Sequence, residues 1–243
     1  MKTELRILRR RSREEEPFWQ SFIYEAEDAN AAVSTALNAL NSREELTDTE
    51  GRRADPIRWE CSCLQKKCGA CAMVINGRPA LACDSKLSGL GPVVTLGPLR
   101  KFPVIADLIT DRSAMREVLR EMKIFLRAQT EVSESMTDIA YEASGCLQCG
   151  CCLEICPNFC TGGKFGGMAA ALPAGRLIEE MDGEGREELL KEYRKRVYEG
   201  CGKSLACRDI CPAGLDVEKL MVNSNAATVW KALDFLRKKR HEV

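Results

Sequence analysis

The sequence predicts an α+β protein in which a strand-rich first half is followed by a helical second half. Two observations support this prediction. Alternating apolar residues and a two-residue turn motif mark about the first hundred residues, whereas apolar residues at helical spacing mark the remainder. The chain also holds 14 cysteines, in one block of five and one block of nine. We expect two domains, residues 1–104 and residues 105–243.

The first half has the element order of a β-grasp domain. Two strands are expected near the start, one in which Leu5 and Ile7 alternate with polar residues and one at Phe22 to Tyr24. A helix is predicted over about residues 30–41, with Asp28 or Asn30 as its N-cap. The dipeptide Asn76-Gly77 stands between two short apolar runs and predicts a hairpin with a type I′ turn.

The second half is expected to be helical, with apolar stripes that face a core. These stripes are Leu177, Ile178 and Met181; Leu189, Leu190, Tyr193 and Val197; and Val222 to Leu236. Between the cysteine blocks, apolar residues also recur at helical spacing, at Val118, Leu119, Met122, Phe125 and Leu126. Pro98 and Pro103 suit a linker between the halves. The basic clusters Arg9–Arg13 and Arg237–Arg240 are interpreted as solvated surface, with a contact to a partner or to anionic lipid as the alternative.

Composition excludes several classes of function. The chain has 36 Lys+Arg and 36 Asp+Glu, so we expect no nucleic-acid partner held through phosphates. No 18 apolar residues run together and no signal peptide is recognisable, which predicts a cytosolic chain without a transmembrane segment. In a reducing cytosol, 14 cysteines favour metal ligands over disulfides. The only histidine, His241, makes Cys/His zinc fingers, Rieske centres and Ser/His/Asp triads hard to build.

The first cysteine block has the C-x4-C-x2-C…C spacing of a plant-type 2Fe-2S site. The four candidate ligands are Cys63, Cys68, Cys71 and Cys83. Gly69 and Ala70 leave room for backbone N–H groups to approach the cluster. A structural zinc site is the alternative. Cys61 is supernumerary and is expected to be a buried thiol, although the sequence leaves a ligand swap open.

The second block contains two runs of the bacterial ferredoxin pattern C-x2-C-x2-C-x3-C-P. One run consists of Cys146, Cys149, Cys152 and Cys156, and the other of Cys201, Ser204, Cys207 and Cys211. The fourth cysteine of each run ligates the other cluster in such pairs. The 4Fe-4S ligands are therefore predicted as Cys146, Cys149, Cys152 and Cys211. The remaining thiols, Cys156, Cys201 and Cys207, suit a 3Fe-4S cluster.

Three residues of this block stand apart from the predicted ligands. Ser204 occupies a ligand position, and a serine alkoxide completing a fourth corner is the alternative to a 3Fe-4S cluster. Cys151 and Cys160 do not occupy ligand positions of the ferredoxin pattern and are expected to be structural. Recruitment of Cys160 after oxygen damage is a further possibility left open.

The chain resembles the iron-sulfur subunits of succinate:quinone and quinol:fumarate oxidoreductases over nearly its whole length. The matching segments are Ile57–Glu60, Cys63–Cys83, Lys101–Leu108, Gly145–Asn158 and Cys201–Pro212. The resemblance implies an α-helical ferredoxin domain after the 2Fe-2S domain. Ser204 and Cys151–Glu154 look most like the form common in Gram-positive bacteria, which implies menaquinone.

The resemblance also implies partners. A flavoprotein subunit would carry FAD, and membrane anchor subunits, often with haem b, would help form the quinone site at the cytoplasmic side of the cell membrane. This chain would pass single electrons between them and carry no catalytic residue of its own. Because no Trp follows Pro157 and no His lies near the ferredoxin run that begins at Cys201, no quinone contact is assigned here.

Two other functions are compatible with parts of the sequence. A subunit of a soluble flavin-dependent oxidoreductase, such as a thiol-dependent fumarate reductase or a glycolate oxidase-like system, would use the same ligands. An iron-sulfur transcriptional sensor would need a DNA-binding helix pair, and the neutral chain shows none that is evident.

Overall fold

A computed structural model of the chain describes residues 2–26, 28, 30–125, 134–181 and 183–230. The chain divides into two compact units, Met1–Asp111 with Leu147–Glu154, and Arg112–Cys146 with Ile155–Val243. The domain boundary expected after residue 104 stays a prediction. Several residues of the sequence analysis lie outside the described residues, namely Leu126, the last stripe beyond Trp230, the cluster Arg237–Arg240 and His241.

The first unit is built on a five-stranded mixed sheet. Its elements are β1 (Lys2–Arg9), β2 (Phe18–Glu25), α1 (Val33–Asn41), β3 (Ala72–Ile75), β4 (Arg78–Leu81), a 3-10 turn (Leu87–Gly89), β5 (Val93–Gly97), β6 (Val104–Ala106) and β7 (Ile109–Thr110). The strand order is β2-β1-β5-β3-β4, and β6 pairs with β7 separately. Strands β1 and β5 are parallel, and the other pairs are antiparallel. Leu5 and Ile7 lie in β1 and Phe22 to Tyr24 lie in β2, which confirms the two predicted strands. Leu5, Ile7 and Phe22 are fully buried.

The predicted hairpin joins β3 and β4 through Asn76 and Gly77. Both residues have positive φ, 47° and 79°, as a type I′ turn requires. The Asn76 side chain accepts a hydrogen bond from the Thr95 N–H at 2.8 Å and donates one to the Leu90 carbonyl at 3.0 Å. The prediction is confirmed, and these bonds hold the turn against the segment around β5. Strand β4 leads directly to Cys83.

Helix α1 begins at Val33, and its predicted side-chain cap is wrong. Ala32 is the N-cap residue, and no side chain caps the helix. The Asp28 carboxylate instead accepts the Asn30 N–H at 2.8 Å, before the helix starts. The first helical N–H groups donate to carbonyls of the loop after β4, from Val33 to Ser85 at 2.9 Å and from Ser34 to Ala82 at 3.0 Å. Because these carbonyls satisfy the N–H groups, a side-chain cap is not needed.

The second unit is helical, which confirms the predicted α+β class. Its elements are α2 (Ser113–Glu121), α3 (Glu134–Ser144), α4 (Cys151–Ile155, which begins in the first unit), α5 (Gly167–Glu180), α6 (Gly183–Tyr193), a π-helical turn (Arg194–Tyr198), a 3-10 turn (Arg208–Ile210) and α7 (Val217–Thr228). The buried residues Ile178, Leu189 and Tyr193 confirm the central stripes.

Two apolar residues of the predicted stripes are exposed. Phe125 is exposed because α2 ends at Glu121 and Lys123 takes a left-handed conformation, so that Phe125 is not on the helix. Val222 lies on the exposed side of α7. The core-facing interpretation is wrong at Val222.

Candidate metal centres

The first cysteine loop, residues 63–71, turns backbone N–H groups toward a thiol sulfur. Leu64 and Lys66 both have left-handed backbone, with φ of 54° and 58°. Left-handed residues help turn successive N–H groups inward, as in a nest, a concavity of N–H groups that binds anions and is common at Fe–S sites. The N–H groups of Gln65 and Lys67 each donate to Cys63 Sγ at 3.3 Å. These bonds lower the pKa of the Cys63 thiol to about 7, which favours its thiolate form.

The four predicted 2Fe-2S ligands lie in two pairs. The thiols of Cys63 and Cys68 interact directly, as do those of Cys71 and Cys83. Burial raises the pKa of the Cys71 thiol to about 12, and the Cys83 and Ala82 N–H groups partly oppose this rise. Within the part of the chain that the structure describes, no group of three Cys, His, Asp or Glu residues could hold one metal ion. A 2Fe-2S cluster takes two thiolates on each iron, so paired thiols fit it.

Cys61 is exposed, so the expectation of a buried thiol is wrong. The chain from Ala54 to Cys61 forms no helix or strand, and this loop does not carry the Cys61 side chain into a core. The two off-template thiols of the second block also differ. Cys151 is fully buried at the start of α4, which fits a structural thiol. Cys160 is exposed, so it is not a thiol buried in the core.

The second cysteine loop, residues 146–152, and the third, residues 201–207, share one backbone conformation. In the second, Gln148 and Gly150 have left-handed φ of 50° and 86°. In the third, Lys203 and Leu205 have φ of 55° and 54°. In each loop these residues follow the first cysteine, Cys146 or Cys201, by two and four positions. The sequence template is therefore matched by the fold, and each loop has two left-handed residues separated by one residue, as the first loop does.

The third loop brings together the thiols predicted for the 3Fe-4S cluster. The pKa of the Cys207 thiol is raised to about 11, chiefly by burial and to a smaller extent by the nearby charges of Cys156 and Cys201. Ser204 is exposed. The Asn158 amide donates to the Gly200 carbonyl at 2.8 Å, which ties the residue next to Cys201 to the chain just after Cys156.

In the second loop, Cys149 and Cys152 belong to the compact unit of the sheet, within Leu147–Glu154. Sharing of a cluster with Cys146 and Cys211 stays a prediction. The structure adds Glu154, whose side chain is only 1% exposed and pairs with Arg100 Nε at 3.1 Å. In the sequence, Glu154 stood out only as part of a subtype pattern. The signal that could have drawn attention to Glu154 was its position as a charged residue between two predicted ligands, Cys152 and Cys156.

Comparison with known proteins identifies the family. A family described as a 2Fe-2S iron-sulfur cluster binding domain matches residues 4–117. The succinate dehydrogenase iron-sulfur subunit of Bacillus subtilis (strain 168) is 32% identical over 215 residues, covering 82% of each chain. The chain belongs to the family of succinate dehydrogenase and fumarate reductase iron-sulfur subunits. The resemblance drawn from the sequence is thereby confirmed.

A further relative and a solved structure are also similar to the chain. The fumarate reductase iron-sulfur subunit of Wolinella succinogenes is 27% identical over 211 residues, covering 80% of this chain and 84% of that protein. A chain of the Mycobacterium smegmatis Sdh1 complex in the apo form matches with a TM-score of 0.76 at 23% identity. It covers 95% of this chain and 97% of its own length, and at this identity it shows the fold alone. Among the described residues, no helix is long and apolar enough to span a bilayer.

Proposed function

We propose that this chain is the electron-transfer subunit of a succinate dehydrogenase or fumarate reductase complex. The observation that carries the proposal is the backbone of the three cysteine loops. Five of the eight non-glycine residues with positive φ in the described chain lie in these loops: Leu64, Lys66, Gln148, Lys203 and Leu205. Left-handed backbone is unfavourable for side chains such as Leu, so its concentration here has a function.

The residues present fit iron-sulfur clusters. Cys63, Cys68, Cys71 and Cys83 would hold the 2Fe-2S cluster, and their pairing suits it. Cys156, Cys201 and Cys207 would hold the 3Fe-4S cluster, and the 4Fe-4S cluster would be held by Cys146, Cys149, Cys152 and Cys211. When bound, such clusters supply one-electron redox chemistry.

The protein's own contribution is electrostatic. A cluster with thiolate ligands carries net negative charge, and inward-facing N–H groups stabilise that charge without a titratable side chain. At the first loop, Lys66 also lies beside the site, and its ammonium is paired with Asp84 at 2.8 Å. Burial of Cys71 and Cys149 keeps water from part of the ligand set.

The proposal extends to the partners that the family implies. A flavoprotein subunit would hold FAD, and a membrane anchor would provide the quinone site, with menaquinone as the proposed quinone and haem b in the anchor. The chain would then sit at the cytoplasmic side of the cell membrane as a peripheral subunit. Substrate chemistry would belong to the flavoprotein, and this chain would carry no catalytic residue.

Co-purification tests the assembly. The chain would be tagged in its native host, and membranes would be extracted anaerobically with mild detergent. Mass spectrometry would then identify the proteins retained with the tag. We expect a flavoprotein together with a small helical membrane protein. A soluble chain with a flavoprotein alone would contradict the membrane part and favour the soluble oxidoreductase instead.

A further inference from the structure

The first and second cysteine loops touch at a glycine. Both lie in the unit formed by Met1–Asp111 and Leu147–Glu154. A Cβ atom placed on Gly69 would lie 2.7 Å from the Leu147 carbonyl oxygen and 2.8 Å from Cys149 Cβ. Both separations are shorter than real Cβ contacts. Neither obstacle is a flexible side-chain end, so any larger residue at this position must move one loop away from the other.

The contact distinguishes Gly69 from other glycines with similar backbone. Gly69 has φ of +71°, and Gly51 in the same unit has φ of +75°. A Cβ on Gly51 would meet nothing within 4 Å. Substitution of either residue by alanine introduces similar backbone strain, but only the change at Gly69 also forces the loops apart. The two positions therefore form a matched pair for experiment.

The other end of the Leu147–Glu154 segment is held by a buried carboxylate. Glu154 accepts hydrogen bonds from Arg100 Nε at 3.1 Å and from the Lys101 backbone N–H at 3.0 Å. The neighbours Leu99 and Phe102 are buried, at 0% and 2% exposure, so the segment that receives Glu154 is itself anchored in the core. The Arg100 side chain is 66% exposed, but the carboxylate that accepts both bonds is buried, and the bonds are charge-assisted, which makes the attachment firm.

We propose that Gly69 is a positioning residue that sets the gap between the first and second cluster loops, and that Glu154 keeps the second loop against it. This inference rests on the proposed function, because it assigns a 2Fe-2S cluster to the first loop and a 4Fe-4S cluster to the second. A single electron passing between them oxidises one cluster and reduces the other, with no further reactant. Such exchange slows as the gap widens. A glycine at the contact keeps the gap small, because it has no side chain to push the loops apart.

The test compares complexes carrying Gly69→Ala and Gly51→Ala with the unmodified complex. Both cluster types are paramagnetic when reduced, and their mutual spin–spin interaction weakens steeply with separation. We expect Gly69→Ala to weaken this interaction in the electron paramagnetic resonance (EPR) spectrum of the reduced complex while iron and sulfide contents stay unchanged. Gly51→Ala should match the unmodified spectrum. An unchanged interaction in a cluster-loaded Gly69→Ala complex would overturn the proposal.

A second variant decides the matter if Gly69→Ala does not assemble. Glu154→Gln keeps the side-chain size but removes the charge that pairs with Arg100, so we expect a weaker interaction. The control is Glu188→Gln, which changes a carboxylate paired with Lys123 in the other unit and should leave the interaction unchanged. An interaction of full strength in Glu154→Gln would count against the proposal. Absence of any cluster signal from the unmodified complex would instead refute the proposed function.

Discussion

The second and third cysteine loops have the same backbone but different ligands and different supports. Each has left-handed residues two and four positions after its first cysteine. The second loop has Cys149 where the third has Ser204. The second is held through the charged pair of Glu154 and Arg100, whereas the third is held through the neutral bond from Asn158 to Gly200. The loop conformation is thus kept while the number of thiolates varies.

The largest expected effect comes from removing a ligand of the second loop. Cys149→Ala should abolish the 4Fe-4S signal in EPR spectra of the reduced protein, because three thiolates remain for four irons. The matched control is Cys151→Ala, which removes a buried thiol two residues away and should retain the signal. Equal loss in both variants would show that packing, and not ligation, governs the site.

Making the third loop match the second tests what Ser204 does. With a fourth thiolate available, Ser204→Cys should convert the 3Fe-4S signal of the oxidised protein into a 4Fe-4S signal of the reduced protein. Ser204→Ala should leave the 3Fe-4S signal unchanged. Loss of the native signal in Ser204→Ala would instead support a serine alkoxide as the fourth ligand.

Backbone strain can be added to the second loop without touching a thiol. Gly150→Ala places a side chain at φ of 86° and should cost about 1 kcal/mol. For a chain of this size the loss corresponds to a fall of about 2–4 °C in the midpoint of thermal unfolding. Gly97→Ala is the control, because Gly97 has no left-handed φ and open space around its Cα. A midpoint equal for the two variants would contradict the assigned conformation.

The smallest effect is expected at the neutral support of the third loop. Asn158→Ala removes the 2.8 Å bond to the Gly200 carbonyl and should cost about 0.5–1 kcal/mol, since the side chain is exposed. Asn158→Asp keeps the size but loses the donor, so it should destabilise at least as much. Thermal loss of the cluster absorbance provides the measurement. Full stability in Asn158→Asp would show that the amide donor does not support the loop.

Local features were predictable from the sequence, and contacts between distant segments were not. The hairpin at Asn76-Gly77 and the repeated cysteine spacing depend on neighbouring residues, so a single sequence shows them. The N-terminal N–H groups of α1 are satisfied by Ser85 and Ala82, about fifty residues away, so the cap prediction failed. The contact of Gly69 with Cys149 likewise depends on how separate segments pack.

One chain that holds three different clusters should show all three in EPR spectra of the anaerobically purified complex, and this is the decisive experiment. We expect a 3Fe-4S signal in the oxidised state, followed on stepwise reduction by a 2Fe-2S signal and by a 4Fe-4S signal that interacts with it. Iron and acid-labile sulfide would be present in amounts that match all three. Zinc in place of iron, with no acid-labile sulfide and no such signals, would show that the chain does not hold iron-sulfur clusters.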